Sequence, residues 1–330
     1  MESLLPFEKE ERKIIEKREA QTNKSYGKQP QERTIEELLE SSVITINKPE
    51  GPTSHETVDF LKKILKSDKI GHGGTLDPHV TGVLPAALNK ATKVTQALLP
   101  AGKEYVCLMH IHKEVTVQKI KATLEQFIGT ITQLPPIRSA VKRQERERKI
   151  YYIKIMQIKD QDVLFRVGCQ GGTYVRKMCH DIGEKLGTGA HMAQLIRTKA
   201  GPFNDKEMYT LHDIKDAYEE YKQGNEKKLK HILKPIETAV THVPKIWITD
   251  ETVGSVTHGA QLGIPGIVKL HNTIREGQLI AIMTLKDELV ALAIAQKSSK
   301  EIKNNQKGLA TKTQQVFLDR TTYPYKKRLH

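Results

Sequence analysis

A chain of 330 residues, 38% of them hydrophobic, is long enough for two domains that each bury a core of their own. Lys and Arg number 53 against 39 Asp and Glu, a formal net charge of +14, which favours a polyanionic partner, either nucleic acid or an anionic membrane surface. The most sustained apolar stretch near the C-terminus, residues 289–295, is far too short to span a bilayer, so no transmembrane helix is expected. The N-terminus runs through Glu2, Glu8, Lys9, Glu10, Glu11 and Arg12 without the apolar segment of a secretory signal, and a cytosolic protein is expected. Cys107, Cys169 and Cys179 are odd in number and lack a C-x-x-C pair, so buried or reduced thiols are expected rather than a disulfide framework or a zinc site.

Residues 1–40 are dominated by charged and amide side chains, with Gly27 and Pro30 interrupting any long helix, and read as an arm that orders only against another surface. A short β-rich run at 43–46 is stopped by turn chemistry from Lys48 to Pro52. The spacing of Val58, Leu61, Ile64 and Leu65 then predicts a helix with Ser54 as its N-cap. Strands are expected at 105–111, 151–158 and 163–167, separated by helical windows such as 120–128 and 175–186, a mixed α/β or α+β pattern. The charged patch at 219–230 reads as a domain boundary before Pro235. Beyond it, short strands are expected at 245–249, 266–270, 278–285 and 289–295, the last two joined as a hairpin through Lys286, Asp287 and Glu288.

The most informative segment is GHGGTLDP at 71–78. Its glycines permit positive φ and a close approach to a ligand, and Pro78 holds Asp77 in an extended or turn geometry. Two readings stand: a carboxylate presented on a stiffened loop, or a tight turn in which Asp77 accepts local backbone hydrogen bonds. In GGTYVRKMCHD, at 171–181, two glycines precede Tyr174, Arg176 and Lys177 at the expected start of a helix, where anions are favoured. Arg176 fits as partner of a carboxylate such as Asp77, as a phosphate contact, or as a surface residue with its stem laid on the helix. Arg138, Lys142, Arg143, Arg146, Arg148 and Lys149 crowd one segment that is either a solvated face or a connecting loop gripping phosphates. Tyr105, heading a β-rich run, suits either core packing or stacking on an unpaired base. The histidines, His72, His110, His112, His180 and His191 among them, show no metal-ligand spacing, and no metal is expected.

Taken together, these segments resemble the TruB/dyskerin family of pseudouridine synthases from about residue 41 to 325. INKPEGPTSH (46–55) is similar to the family's lysine–proline motif and GHGGTLDPHVTGVLP (71–85) to its catalytic-aspartate motif. GKEYV (102–106) resembles the strand bearing the active-site tyrosine, GGTYVRKMCHDIG (171–183) the basic motif, and LIRTKAGPF (195–203) the motif placing a leucine beside the base. The resemblance implies Asp77 as the catalytic carboxylate, Tyr105 as the ring against the uracil and Arg176 as the ion-pair partner of Asp77. It further implies Lys48, His72, Tyr174 and Leu195 as substrate-binding residues, and no cofactor. The implied fold is a mixed, largely antiparallel sheet with flanking helices over 41–236. A small β-barrel-like PUA domain over 237–325 follows, on which the arm of 1–40 packs.

The segment from His242 to Ile267, with AIMTLKDELVALAIA and the ending FLDRTTYP, resembles the PUA domain of the archaeal and eukaryal branch. That likeness implies a guide-RNA-dependent subunit of an H/ACA ribonucleoprotein. Its implied partners are guide RNA, rRNA, small core proteins and a kink-turn-binding protein, with transfer RNA uridine 55 as a further target. The chain stops at His330 without the Lys-rich tail of eukaryotic nuclear members, which implies an archaeal, cytoplasmic protein. The rival from another class is an idle RNA-binding scaffold, which has no need for a carboxylate facing the RNA.

Overall fold

Alternating apolar runs become the strands of two sheets in the computed structural model, which describes residues 3–134 and 144–325. From the N-terminus, β1 (Ile14–Glu16) and α1 (Ile35–Glu40) precede β2 (Ser42–Lys48), α2 (Ser54–Leu65), β3 (Ile70–His72), β4 (Thr81–Leu88) and α3 (Thr95–Leu98). Next come β5 (Lys103–Ile111), α4 (Val117–Glu125), β6 (Gly129–Gln133), β7 (Arg146–Lys159), β8 (Asp162–Cys169), α5 (Val175–Leu186) and β9 (Ala190–Ala200). The first sheet closes with β10 (Phe203–Asn204), α6 (Leu211–Lys222), α7 (Lys227–Ile232) and β11 (Lys234–Pro235). The C-terminal part holds β12 (Lys245–Ile248), α8 (Asp250–Thr257), β13 (Leu262–Gly263), β14 (Ile267–His271), β15 (Leu279–Met283), β16 (Leu289–Ala295), α9 (Ser299–Asn304) and β17 (Leu309–Val316).

The first sheet runs β11-β2-β4-β9-β5-β8-β7-β6, with β3 on β4 and β10 on β9; the second runs β1-β14-β12-β15-β16-β17-β13. Pairing is antiparallel except for β4 with β9 and β12 with β15, the mixed, largely antiparallel arrangement expected. β15 and β16 form the anticipated hairpin, with Asp287 at φ 64° in its turn. The three cysteines are buried free thiols.

Several elements depart from their sequence reading for identifiable reasons. Helix α2 is capped by Thr53, not Ser54: the Thr53 hydroxyl accepts from the Glu56 amide at 3.1 Å, and the Glu56 carboxylate receives the Thr53 amide at 2.7 Å. Ser54 is committed elsewhere, as the site shows. The charged patch at 219–230, read as preceding a domain boundary, spans the end of α6 and most of α7, helices that bury Ile214, Ala217, Leu229 and Ile232 with Ile44, Ile46 and Leu61. β4, between β2 and β9, carries Pro85 opposite Thr45, a residue that ordinarily argues against a central strand.

The N-terminal arm lies across both sheets. Leu5 is fully buried against the first, where Lys199 binds Glu8 at 2.8 Å. β1 extends the second by pairing Ile14 with His271. Between these, the Arg12 guanidinium donates to the carbonyls of Thr241, His242 and Val243 at 2.8, 2.6 and 3.2 Å, and Arg33 makes a two-pronged pair with Glu237 at 2.8 Å each. His242 is buried at this junction, with Nε2 2.9 Å from the Ala97 carbonyl and Phe7 edge-on to its ring.

Candidate active site

The loop from β3 to β4 carries Asp77 because its neighbours anchor it. Leu76 and Val80 are buried in one cluster with Tyr105, Val175 and Leu195, so the chain dips into the core on either side of the aspartate. Ser54, at the start of α2, pins the loop from one side: the Leu76 amide donates to its Oγ at 2.7 Å, and its hydroxyl is 3.0 Å from the Leu76 carbonyl. Lys48 pins it from beneath, donating to the carbonyls of Pro49, Pro78 and Val80 at 2.8, 3.1 and 3.0 Å. Gly74 stands at φ 137°, a backbone few other residues adopt. Gly82, at φ 101°, lies where a Cβ would fall 2.3 Å from the Arg197 carbonyl, which is how β4 and β9 approach in parallel.

Arg176 is the second residue of α5, and its Nη2 is 2.7 Å from Asp77 Oδ2. Both side chains are about half exposed, 56% and 51%. Such a pair adds less than about 1 kcal/mol to the fold, so its interest lies in where it holds the carboxylate. Lys177, the next residue, instead pairs with Asp181 one turn along its own helix. Tyr174, just before α5, has its backbone gripped on both sides by the buried Gln133 amide, at 3.0 and 3.1 Å.

Tyr105 and Leu195 are nearly enclosed, at 8% and 7% exposure, on the adjacent strands β5 and β9. Burial above all raises the Tyr105 phenol, against the opposing pull of Arg197; Cys169 and the Asp77 charge add to the rise. His72, the last residue of β3, is half-buried, and its Nδ1 meets no hydrogen-bond partner among the described residues. Burial lowers its pKa, helped by the charges of Arg197 and His55.

Asp77 and Arg176 thus meet directly, and the core gathers Tyr105 and Leu195 beneath the Asp77 loop. Lys48, implied as a substrate-binding residue, is fully buried, and its ammonium caps the carbonyls of Pro49, Pro78 and Val80. The basic segment also differs from the loop expected, since Arg146, Arg148 and Lys149 belong to β7 and pair with Gln133, Ile131 and Thr130 of β6. Arg138, Lys142 and Arg143 lie outside the described residues. From β7, Arg148 reaches the Gly172 carbonyl at 3.2 Å, beside the start of α5. The residue overlooked in the sequence is Arg197, buried at 1% exposure and the cross-strand partner of Tyr105. Its signal was strand alternation, which sets it on the same inward face as Leu195.

Four family models match in succession: the DKCLD domain over residues 2–58, the N-terminal domain of the TruB family of pseudouridylate synthases over 62–175, the tRNA pseudouridylate synthase B C-terminal domain over 176–241, and the PUA domain over 244–317. A probable tRNA pseudouridine synthase B from Methanopyrus kandleri is 52% identical over 97% of this chain and 95% of its own length. Its counterpart from Pyrococcus horikoshii is 53% identical over 97% of each. The chain belongs to the TruB family. It is a pseudouridine synthase, an isomerase, with a PUA domain at its C-terminus. Among solved structures, a chain in the crystal structure of a Cbf5-Nop10-Gar1 complex superposes with a TM-score of 0.94 at 52% identity, covering 97% of this chain and 98% of that one. A chain in an H/ACA ribonucleoprotein bound to a substrate RNA containing 2'-deoxyuridine gives 0.91 at 50% identity, covering 97% and 99%. The TruB family match therefore extends over both sheets and the arm.

Proposed function

We propose that Asp77 is the catalytic carboxylate of this synthase, with Arg176 as its ion-pair partner and Tyr105 as the ring against the target uracil. The observation that carries the reading is the 2.7 Å contact between Arg176 and Asp77 at the mouth of a nearly closed apolar cluster containing Tyr105 and Leu195. In the reaction the N1–C1' bond of uridine breaks, the base turns, and a C5–C1' bond replaces it, while the proton lost from C5 is matched by one gained at N1. No oxidant, reductant or water is consumed. A carboxylate serves near C1' as carboxylates serve in glycosidases, and the guanidinium beside it fixes its orientation. The uridine must leave its stack to reach Asp77, and the Tyr105 ring, with Tyr174 and His72 at the rim, offsets part of that cost.

The substrates of this reading are uridine 55 of transfer RNA and, with a guide RNA, rRNA uridines. The assembly is an H/ACA ribonucleoprotein with small core proteins and a kink-turn-binding protein. The superposition on chains of a Cbf5-Nop10-Gar1 complex and of an H/ACA ribonucleoprotein bound to a substrate RNA supports the assembly and an RNA substrate, and the likeness to tRNA pseudouridine synthases B supports transfer RNA. Arg146, Arg148 and Lys149 on β7 are proposed as phosphate contacts, with Arg138, Lys142 and Arg143 of the same segment.

The test is Asp77→Asn, nearly isosteric and unable to ionise. It abolishes pseudouridine formation on transfer RNA and on guide-paired RNA, while affinity for either stays within roughly a few-fold of wild type, because phosphate contacts dominate binding. Substantial turnover by this variant removes Asp77 from its role.

A further inference from the structure

Arg197 is a charge with no obvious reason to be indoors. It is 1% exposed, and the groups that favour its charge are Tyr105 and Cys169, neither a carboxylate. A buried ion is often replaced by an apolar side chain of like volume without loss of stability, so stability alone does not account for it. Its hydrogen bonds are more informative. Nε donates to the Val83 carbonyl at 2.7 Å and Nη2 to the Gly74 carbonyl at 3.1 Å, and Arg197 stands directly across from Tyr105 in the β5–β9 pairing. Gly74 lies in the loop that presents Asp77, Val83 in the strand leaving that loop, and Tyr105 on the strand beneath.

One rigid, planar fork therefore ties together the backbone on both sides of Asp77, directly across the β5–β9 pairing from Tyr105. Lys103, the neighbouring buried cation, cannot substitute. Its ammonium is already committed to the carbonyls of Leu98, Leu99 and Ala101, at 2.9, 3.3 and 2.8 Å. Burial pushes that ammonium down to about 7, but three acceptors on one nitrogen require all three hydrogens of the charged form and pull the other way.

We infer that Arg197 is a positioning residue for uridine isomerisation, setting the gap between the Tyr105 ring and the Asp77 carboxylate into which the uracil inserts. The inference rests on the roles proposed above for Asp77 and Tyr105. Arg197 touches no substrate: it acts through its cross-strand neighbour Tyr105 and the Gly74 turn, and misplacement of either by a fraction of an ångström lowers turnover without loosening RNA binding.

The experiment is a double-mutant cycle on the full-length chain, with Tyr105→Phe, Arg197→Lys and the pair assayed on an unmodified transfer-RNA transcript, or on guide-paired RNA where only that is turned over. Arg197→Lys keeps a buried cation but loses the fork. It lowers kcat roughly ten- to a hundredfold with KM within a few-fold, and Tyr105→Phe also lowers kcat. The pair is no worse than its worse member, because the two side chains are cross-strand neighbours that set one gap. Losses that multiply overturn the inference, as does wild-type kcat in either single variant. Arg197→Gln runs the same cycle if the Lys variant fails to fold, and Tyr105→Phe reads the link independently of both. Asp77→Asn is assayed alongside: turnover in that variant sinks the proposed active site itself, whereas an inactive Asp77→Asn with multiplying losses removes only Arg197.

Discussion

Acid should loosen this protein at one identifiable place. His242 is buried where the arm and the two sheets meet, and burial holds its imidazole down to about 4, with the charges of Lys103 and Arg12 adding to the effect. In the folded chain Nε2–H donates to the Ala97 carbonyl, while Nδ1 is enclosed with no acceptor facing it among the described residues, so a second proton has nowhere to point. Above about pH 6.5 the ring is neutral folded and unfolded, and stability is unaffected. As pH falls from there towards 4, the unfolded chain binds a proton that the folded chain refuses, and stability is lost. The interval corresponds to about 3 kcal/mol at pH 4, a sizeable part of the roughly 5–15 kcal/mol that holds a typical domain. Urea unfolding at pH 7 and pH 4, followed through Trp247, the lone tryptophan and a member of the apolar cluster at this junction, measures it. His271 is also held down to about 4 by burial, so wild type has a further slope of its own. The difference between wild type and His242→Gln isolates His242. The variant should lose about 3 kcal/mol less than wild type over that range. Parallel pH slopes in the two proteins would refute the reasoning.

Arg176→Ala should lower kcat by at least roughly tenfold, whereas Lys177→Ala, which only breaks a pair with Asp181, should stay near wild type; equal losses on a tRNA transcript would make Arg176 an ordinary surface residue. Arg33→Ala strands the Glu237 carboxylate, 10% exposed and otherwise held by the Leu289 amide at 2.9 Å, and should cost about 3 kcal/mol in urea unfolding. An unchanged midpoint would show the arm's pair to be dispensable.

What was legible in the sequence was local and linear. The Asp77 loop and the Arg176 turn announce themselves through glycines, a proline and charges within a dozen residues, although only folding brings the two side chains to 2.7 Å. The β15–β16 hairpin was equally plain, two apolar runs around a three-residue polar break. The role of Lys48 was not legible, because its partners are backbone carbonyls at residues 49, 78 and 80, and carbonyls leave no mark in a sequence. Thr53 could have been found: a glutamate three positions later is the capping-box signature, and it outranks Ser54. β4 was hidden by Pro85, whose missing donor argues for an edge until β3 and β2 are seen on either side of it. α6 and α7 were not legible in the charged patch because hydrophilic composition says nothing of the two thin apolar stripes, Ile214 with Ala217 and Leu229 with Ile232, that dock them.

The arm has a consequence for the order in which the molecule is completed. Residues 3–16 are made before either sheet, yet the edge that β1 joins is built from residues 267–271, and the Lys13 amide waits for an Asn272 side chain 259 positions later. Leu5 finds its place only once β5 and its neighbours exist. The earliest-made segment is therefore among the last to dock, and until then its apolar residues and the open side of β14 stay exposed. A nascent chain stalled before residue 267 would hold a first sheet able to pair internally and an arm with half its seat missing. Completion of the second sheet is therefore the event that seats the arm across both.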